Sequence, residues 1–230
     1  MLALAGIAAA LWSILVVPRH FFFETVRLSS RLWVARREVT QAQYETITGE
    51  NPSEFRGSDK PVDSVSWDDA EDFCAKLTAR EHAAGRLPAD CVYELPTDAE
   101  WDRFGGATPV SPAVTSLSGA RTGTENVGAF TPNALGLYDG VGNVWEWTRD
   151  WYSNDIRRKD SNRDLPSVPT DAEATAQGPE ETFKVLRGGA WDTGPSDHFS
   201  SASRLRYAPG MSNYRTGFRC VVERRDAGRK

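Results

Sequence analysis

The run Gly136-Leu-Tyr-Asp-Gly-Val-Gly-Asn-Val-Trp-Glu-Trp147 constrains this chain more than any other stretch. It sets two tryptophans around a glutamate immediately after an Asp-Gly…Gly-Asn turn. Indoles left in water forfeit favourable burial, so a turn feeding Trp145 and Trp147 must be covered by the rest of the fold. Asp139 and Glu146 go under cover with them. The run therefore reads as the centre of a site or of a metal-braced core.

The bulk of the chain fits one globular core: 230 residues, 40% hydrophobic and 26% charged. A net charge of −5 argues against nucleic acid as a partner, because that surface needs a basic face. Eight tryptophans against two methionines point to a rigid aromatic interior. Leu2 to Val17 is apolar apart from Ser13 and is closed by Pro18-Arg19-His20. That is short of the roughly 20 residues of a spanning helix and suits a signal or a strained anchor, with a buried N-terminal helix as the alternative. Residues 1–20 are therefore read as a membrane-targeting segment, 21–223 as the domain and 224–230 as a charged tail. The side of the membrane stays open, with an extracytoplasmic placement preferred.

Three capping boxes mark helix starts at Thr40…Gln43, Ser66…Asp69 and Thr97…Glu100. The second heads the best amphipathic helix, with Ala70, Phe73, Cys74 and Leu77 on one face and Gly85 beyond its end. Cys91–Leu95, Phe183–Arg187 and Thr216–Val222 read as strands, and Gly188–Arg215 shows no regular period. Thirteen prolines and 19 glycines leave much of the chain as loop. Short helices, short strands and long ordered loops make an α+β fold.

The blocks REVTQAQY (37–44), NPSEF (51–55), KPVDSVSWDDAEDFC (60–74), ELPTDAEWDRF (94–104), NALGLYDGVGNVWEW (133–147), VLRGGAW (185–191) and GFRC (217–220) arrive in an order that resembles the formylglycine-generating, sulfatase-modifying-factor domain. That resemblance implies a variant of the C-type lectin fold. In the catalytic members two cysteines after the Gly-Gly turn bind Cu(I), a soft metal suited to thiolates. Here the turn is Gly188-Gly189, and Ala190 to Phe199 contains no cysteine, so no copper is expected. The resemblance further implies a disulfide between Cys74 and Cys220, against the alternative of two buried thiols. It also implies a structural Ca2+ held by Asp139, the carbonyls of Gly142 and Val144, and Glu146, since hard cations take oxygen ligands. A buried carboxylate without a counter-charge favours that metal.

The three histidines, His20, His82 and His198, share no metal-ligand spacing, and no nucleophile elbow or phosphate loop is present. What remains is binding. The resemblance implies that the stretch from Ala190 to Arg215 lies at the mouth of the family's pocket, so the expected ligand face carries Trp191, Asp192, Asp197, His198, Phe199, Arg204, Arg206, Tyr207, Asn213, Tyr214 and Arg215. Aromatics among arginines and short polar residues are the composition of recognition surfaces. The reading is a non-catalytic domain that binds a protein, peptide or glycan, membrane-associated through its N-terminal segment. The alternatives are an oxidoreductase of the same superfamily with altered metal chemistry, a retroelement-diversified ligand-binding protein, and a structural module of an envelope complex.

Overall fold

A computed structural model describes residues 21–106, 108, 113–116, 119–152, 182–194 and 202–225. The apolar segment 1–20, residues 153–181 and the residues from 226 lie outside the described residues. Among the described residues no helix is long and apolar enough to cross a membrane.

The elements run β1 (Thr25–Arg27), β2 (Leu32–Ala35), α1 (Gln41–Thr48), α2 (Trp67–Ala83), β3 (Cys91–Glu94), α3 (Asp98–Gly105), β4 (Trp145–Trp151), β5 (Lys184–Arg187), β6 (Arg204–Tyr207), β7 (Thr216–Gly217) and β8 (Val221–Arg224). All three capping boxes form as the sequence dictates, each hydroxyl accepting from the backbone three residues on while that residue's side chain reaches back. The strands make two four-stranded sheets, ordered β1-β2-β8-β3 and β6-β5-β4-β7.

The first sheet is antiparallel and is covered on both faces. Trp33, Cys91, Tyr93 and Val222 join Phe73, Cys74 and Leu77 of α2 in the main core. Leu32, Val34 and Val221 pack on Trp101 and Phe104 of α3, together with Leu137. The alternation of side chains along a strand makes both contacts available to one sheet. The outer edge of β3 is blocked by α2: the Tyr93 amide donates to Thr78 Oγ1 at 2.9 Å, and His82 Nε2 bonds the Cys91 carbonyl at 2.9 Å. That closes an edge otherwise open to pairing with another chain.

Two expectations change. The single strand expected over Thr216–Val222 is divided between the sheets. β7 runs parallel to β4, pairing Glu146 with Gly217, whereas β8 pairs with β2 and β3. The link, Phe218-Arg219-Cys220, is itself buried, so hydrophobicity alone reads straight through the break. A side chain at Gly217 would meet the Val62 carbonyl at 2.5 Å, which explains glycine at the crossing point. The stretch 188–215, expected to be irregular, contains β6, whose alternating Arg204 and Arg206 hide its period.

Candidate functional site

The opening turn is built from left-handed backbone. Asp139, Gly142 and Asn143 have φ of 52°, 86° and 63°. A Cβ at Gly142 would run into the Val114 carbonyl, so only glycine fits there. Asn143, fully buried, donates from Nδ2 to Glu38 Oε2 at 2.7 Å and accepts from the Glu125 amide at 3.0 Å. The Val144 amide donates to the other Glu38 oxygen at 3.2 Å. Thus a carboxylate from the segment before α1 closes the turn from beneath.

Glu146, on β4, is fully buried. It accepts from Trp101 Nε1 at 2.8 Å, from Arg219 Nε at 2.7 Å and from Arg219 Nη2 at 2.5 Å. Nη2 of Arg219 also donates to the carbonyls of Tyr138 and Asp139, at 3.0 and 3.2 Å. One guanidinium therefore ties the turn, β4 and the β7–β8 link together. Such an Arg–carboxylate fork is stronger than a neutral hydrogen bond and holds its partners in a fixed plane.

Three carboxylates, Glu38, Asp139 and Glu146, surround this one guanidinium, and the crowding shows in the proton affinities of Glu38 and Asp139. Burial pushes Glu38 well above its ordinary value, repulsion from Asp139 and Glu146 adds to this, and Arg219 and the Val144 amide oppose it. Burial raises Asp139 to about 6, against the Gly128 amide and Arg219.

The Ca2+ implied by the resemblance was favoured because Glu146 lacked a counter-charge, and Arg219 is that counter-charge. With both Glu146 oxygens engaged by Arg219 and Trp101, the residues as placed do not fit a cation ligated by Glu146. Asp139 Oδ2 is likewise occupied, accepting from the Gly128 amide at 2.5 Å. Among the described residues no three or more His, Cys, Asp or Glu side chains are grouped to hold a metal ion.

The turn positions the surface beside it. Gly142 N–H donates to the Gly188 carbonyl at 2.8 Å, Trp191 N–H to the Asn143 carbonyl at 3.0 Å, and Trp145 N–H to the Arg215 carbonyl at 2.6 Å. Gly188 and Gly189, with φ of 96° and 79°, make the reversal that delivers Trp191 there.

At this surface Trp191 meets Phe55 with ring centroids 5.3 Å apart, and Tyr214 completes the trio at 6.0 Å from Phe55 and 6.1 Å from Trp191. Tyr214 is 42% exposed. Arg215 lies over the Tyr214 ring at 5.5 Å and pairs with Asp192 at 2.7 Å. Asn213 Oδ1 accepts from the Arg215 amide at 2.8 Å and so shapes the turn that presents both residues.

The expected ligand face is thus only partly assembled. Trp191, Asp192, Asn213, Tyr214 and Arg215 converge. Arg204 and Tyr207 do not: both are buried, Arg204 pairing with Asp98 at 2.9 Å and Tyr207 packing against Trp147. Arg206 lies instead over the rings of Tyr152 and Phe183, at 5.0 and 5.3 Å. Asp197, His198 and Phe199 lie outside the described residues. Phe55 was missed, although it ends the NPSEF block; a lone phenylalanine carries no mark of the loop it will meet. Arg219 and Glu38 also stood inside quoted blocks, but nothing in a sequence pairs positions 146 and 219.

Cys74 and Cys220 face each other in the core as the resemblance implied. They are two thiols with sulfurs 3.7 Å apart rather than a disulfide, whose S–S distance is about 2.05 Å. Cys91 is buried on β3. None of the three cysteines lies in the Gly188–Arg215 stretch.

Residues 19–224 match the sulfatase-modifying factor enzyme 1-like domain. The chain belongs to this family. It is 31% identical to a formylglycine-generating enzyme of Thermomonospora curvata, over 90% of this chain and 69% of that protein. It is also 29% identical to the inactive C-alpha-formylglycine-generating enzyme 2 of Bos taurus, covering 86% of this chain and 61% of that one. Among solved structures it resembles Treponema denticola variable protein 1, with a TM-score of 0.63 and 26% identity over 84% of each chain. It resembles CarF with a TM-score of 0.60 and 25% identity, over 85% of this chain and 87% of that one. The α+β architecture is therefore this family's variant of the C-type lectin fold.

Proposed function

We propose that this chain is a non-catalytic member of its family that binds a protein, peptide or glycan through the Phe55, Trp191, Tyr214 surface and the Asp192–Arg215 pair beside it. The observation that carries this reading is an aromatic trio with Tyr214 left exposed, hung by three main-chain hydrogen bonds from a rigid buried turn. Exposed aromatics on a pre-ordered support supply contact area at small entropic cost. The absence of any cysteine from Ala190 to Arg215 removes the thiolates that copper chemistry in this family calls on. The existence of a related protein named as inactive is consistent with loss of catalysis on this scaffold. Tethering through residues 1–20 would place the surface at a membrane.

The test is a screen of peptide and glycan arrays with purified protein, repeated with Tyr214→Ala. Selective binding that the variant loses supports the proposal. Copper-dependent oxygen consumption on a cysteine-containing peptide would replace it with the enzymatic reading.

A further inference from the structure

Away from that surface, a cavity of about 700 Å3 opens between the outer side of α2 and the strands β3 and β4. Its volume is in the range of small-molecule sites. Ala75, Thr78 and Ala79 line the helix side and Val92 the strand side, and Trp67, Glu71 and Lys184 also line it. The small helix residues leave room that larger ones would fill.

The charged groups lining this cavity are not equivalent. Arg149 is paired with Glu94 and with Glu223, and Arg225 also pairs with Glu94. Lys184 donates to the Arg149 carbonyl at 2.9 Å, and its ammonium is held between the rings of Trp67 and Trp151, 3.9 and 3.7 Å from their centroids. His82 is committed to the carbonyls of Pro88 and Cys91. Among the described residues, Glu71 alone of the charged lining groups has no hydrogen bond and no ion pair. It is half-buried, and burial raises its proton affinity against the opposing pull of Lys184 and Arg149. A partly desolvated carboxylate without a donor is costly, and a ligand that brings one gains what the fold leaves unmade.

We infer that this cavity is a binding site for an organic cation, an alkyl amine or guanidine whose charged head is received by Glu71 and whose carbon body lies along Ala75, Ala79 and Val92. Arg149 and Arg225 are already paired with carboxylates and Lys184 is held by a carbonyl and two indole rings, so an anionic ligand would have to draw them from these contacts, whereas a cationic one can be received by Glu71 without breaking a hydrogen bond or an ion pair. The same chemistry is carried by a free amine and by a lysine or arginine side chain of a partner.

Calorimetric titration of the full chain with cadaverine, and separately with a short lysine-rich peptide, tests the inference. Saturable binding is expected, weakened about tenfold or more by Glu71→Gln, the equivalent of roughly 1.4 kcal/mol. Ala79→Trp, at an exposed helix position, should block the cavity without unfolding the protein, as circular dichroism would confirm. Binding of both probes points to a free amine, and binding of the peptide alone to a partner's side chain. Absence of saturable binding by either probe, or an affinity unchanged in both variants, would overturn the inference.

Discussion

The buried turn and the surface it supports draw on the same residue types and use them in opposite ways. In the turn, Glu146 and Arg219 are both fully buried, and every oxygen of Glu146 faces a donor. At the surface, Asp192 and Arg215 form a pair of similar length with side chains about a quarter exposed, at 25% and 28%. Tryptophan divides the same way: Trp147 is wholly buried and its indole N–H donates to the Val65 carbonyl at 3.0 Å, whereas Trp191 is only partly covered. Water decides the difference. Where it is excluded, a charge without its partner is costly and the network becomes a structural brace; where it remains, the same pair costs little to open.

The largest effect should come from breaking the brace. Arg219→Met leaves Glu146 buried and unpaired, and a loss of about 3–5 kcal/mol is expected from urea denaturation. A loss below about 1 kcal/mol would erase the contrast between the two regions. Next comes the protonation of Asp139, whose folded value of about 6 lies above its ordinary 3.8. A carboxyl raised on folding favours the protonated native state. Its contribution is therefore greatest at low pH, declines as pH rises from about 4 to about 6, and is a constant cost above that. Asp139→Asn keeps an acceptor for the Gly128 amide and removes the titration. The variant should exceed wild type by about 1–3 kcal/mol near pH 7.5 and converge with it near pH 4. A difference independent of pH would show that Asp139 is not buried as a charge.

Smaller still is the stability effect at the surface. Tyr214→Ala and Asp192→Asn should each move the unfolding free energy by no more than about 0.5–1 kcal/mol while weakening ligand binding. A large loss of stability would make this surface a second brace rather than a recognition site. The smallest response is predicted for calcium. With Arg219 already neutralising Glu146, Ca2+ and a chelator should leave the wild-type melting temperature unchanged. A rise with Ca2+ that Glu146→Gln abolishes would restore the metal reading.

Much of the local structure was legible in advance. The capping boxes at Thr40, Ser66 and Thr97 specify helix starts through contacts only three residues apart, so neighbours in sequence suffice to read them. The strand at Cys91 was legible for a similar reason. The division of Thr216–Val222 between two sheets was not, because Phe218 and Cys220 are as apolar as strand residues and the break is made by partners far away. The ligand face was overextended for the same reason. Arg204 and Arg206 look like surface residues in a sequence, but Asp98 draws one into the interior and Tyr152 and Phe183 take up the other.

The sequence by itself determined that the turn at Asp139–Trp147 would be tight, glycine-dependent and covered, because backbone sterics and the hydrophobicity of two indoles are local properties. It also determined that no cysteine stands between Ala190 and Arg215. Only the tertiary structure decided what neutralises Glu146. The cation is Arg219, brought from 73 positions away along the chain to within hydrogen-bond distance. Electrostatic balance in a core depends on which groups share the space from which water is excluded, and that grouping exists only once the chain has folded.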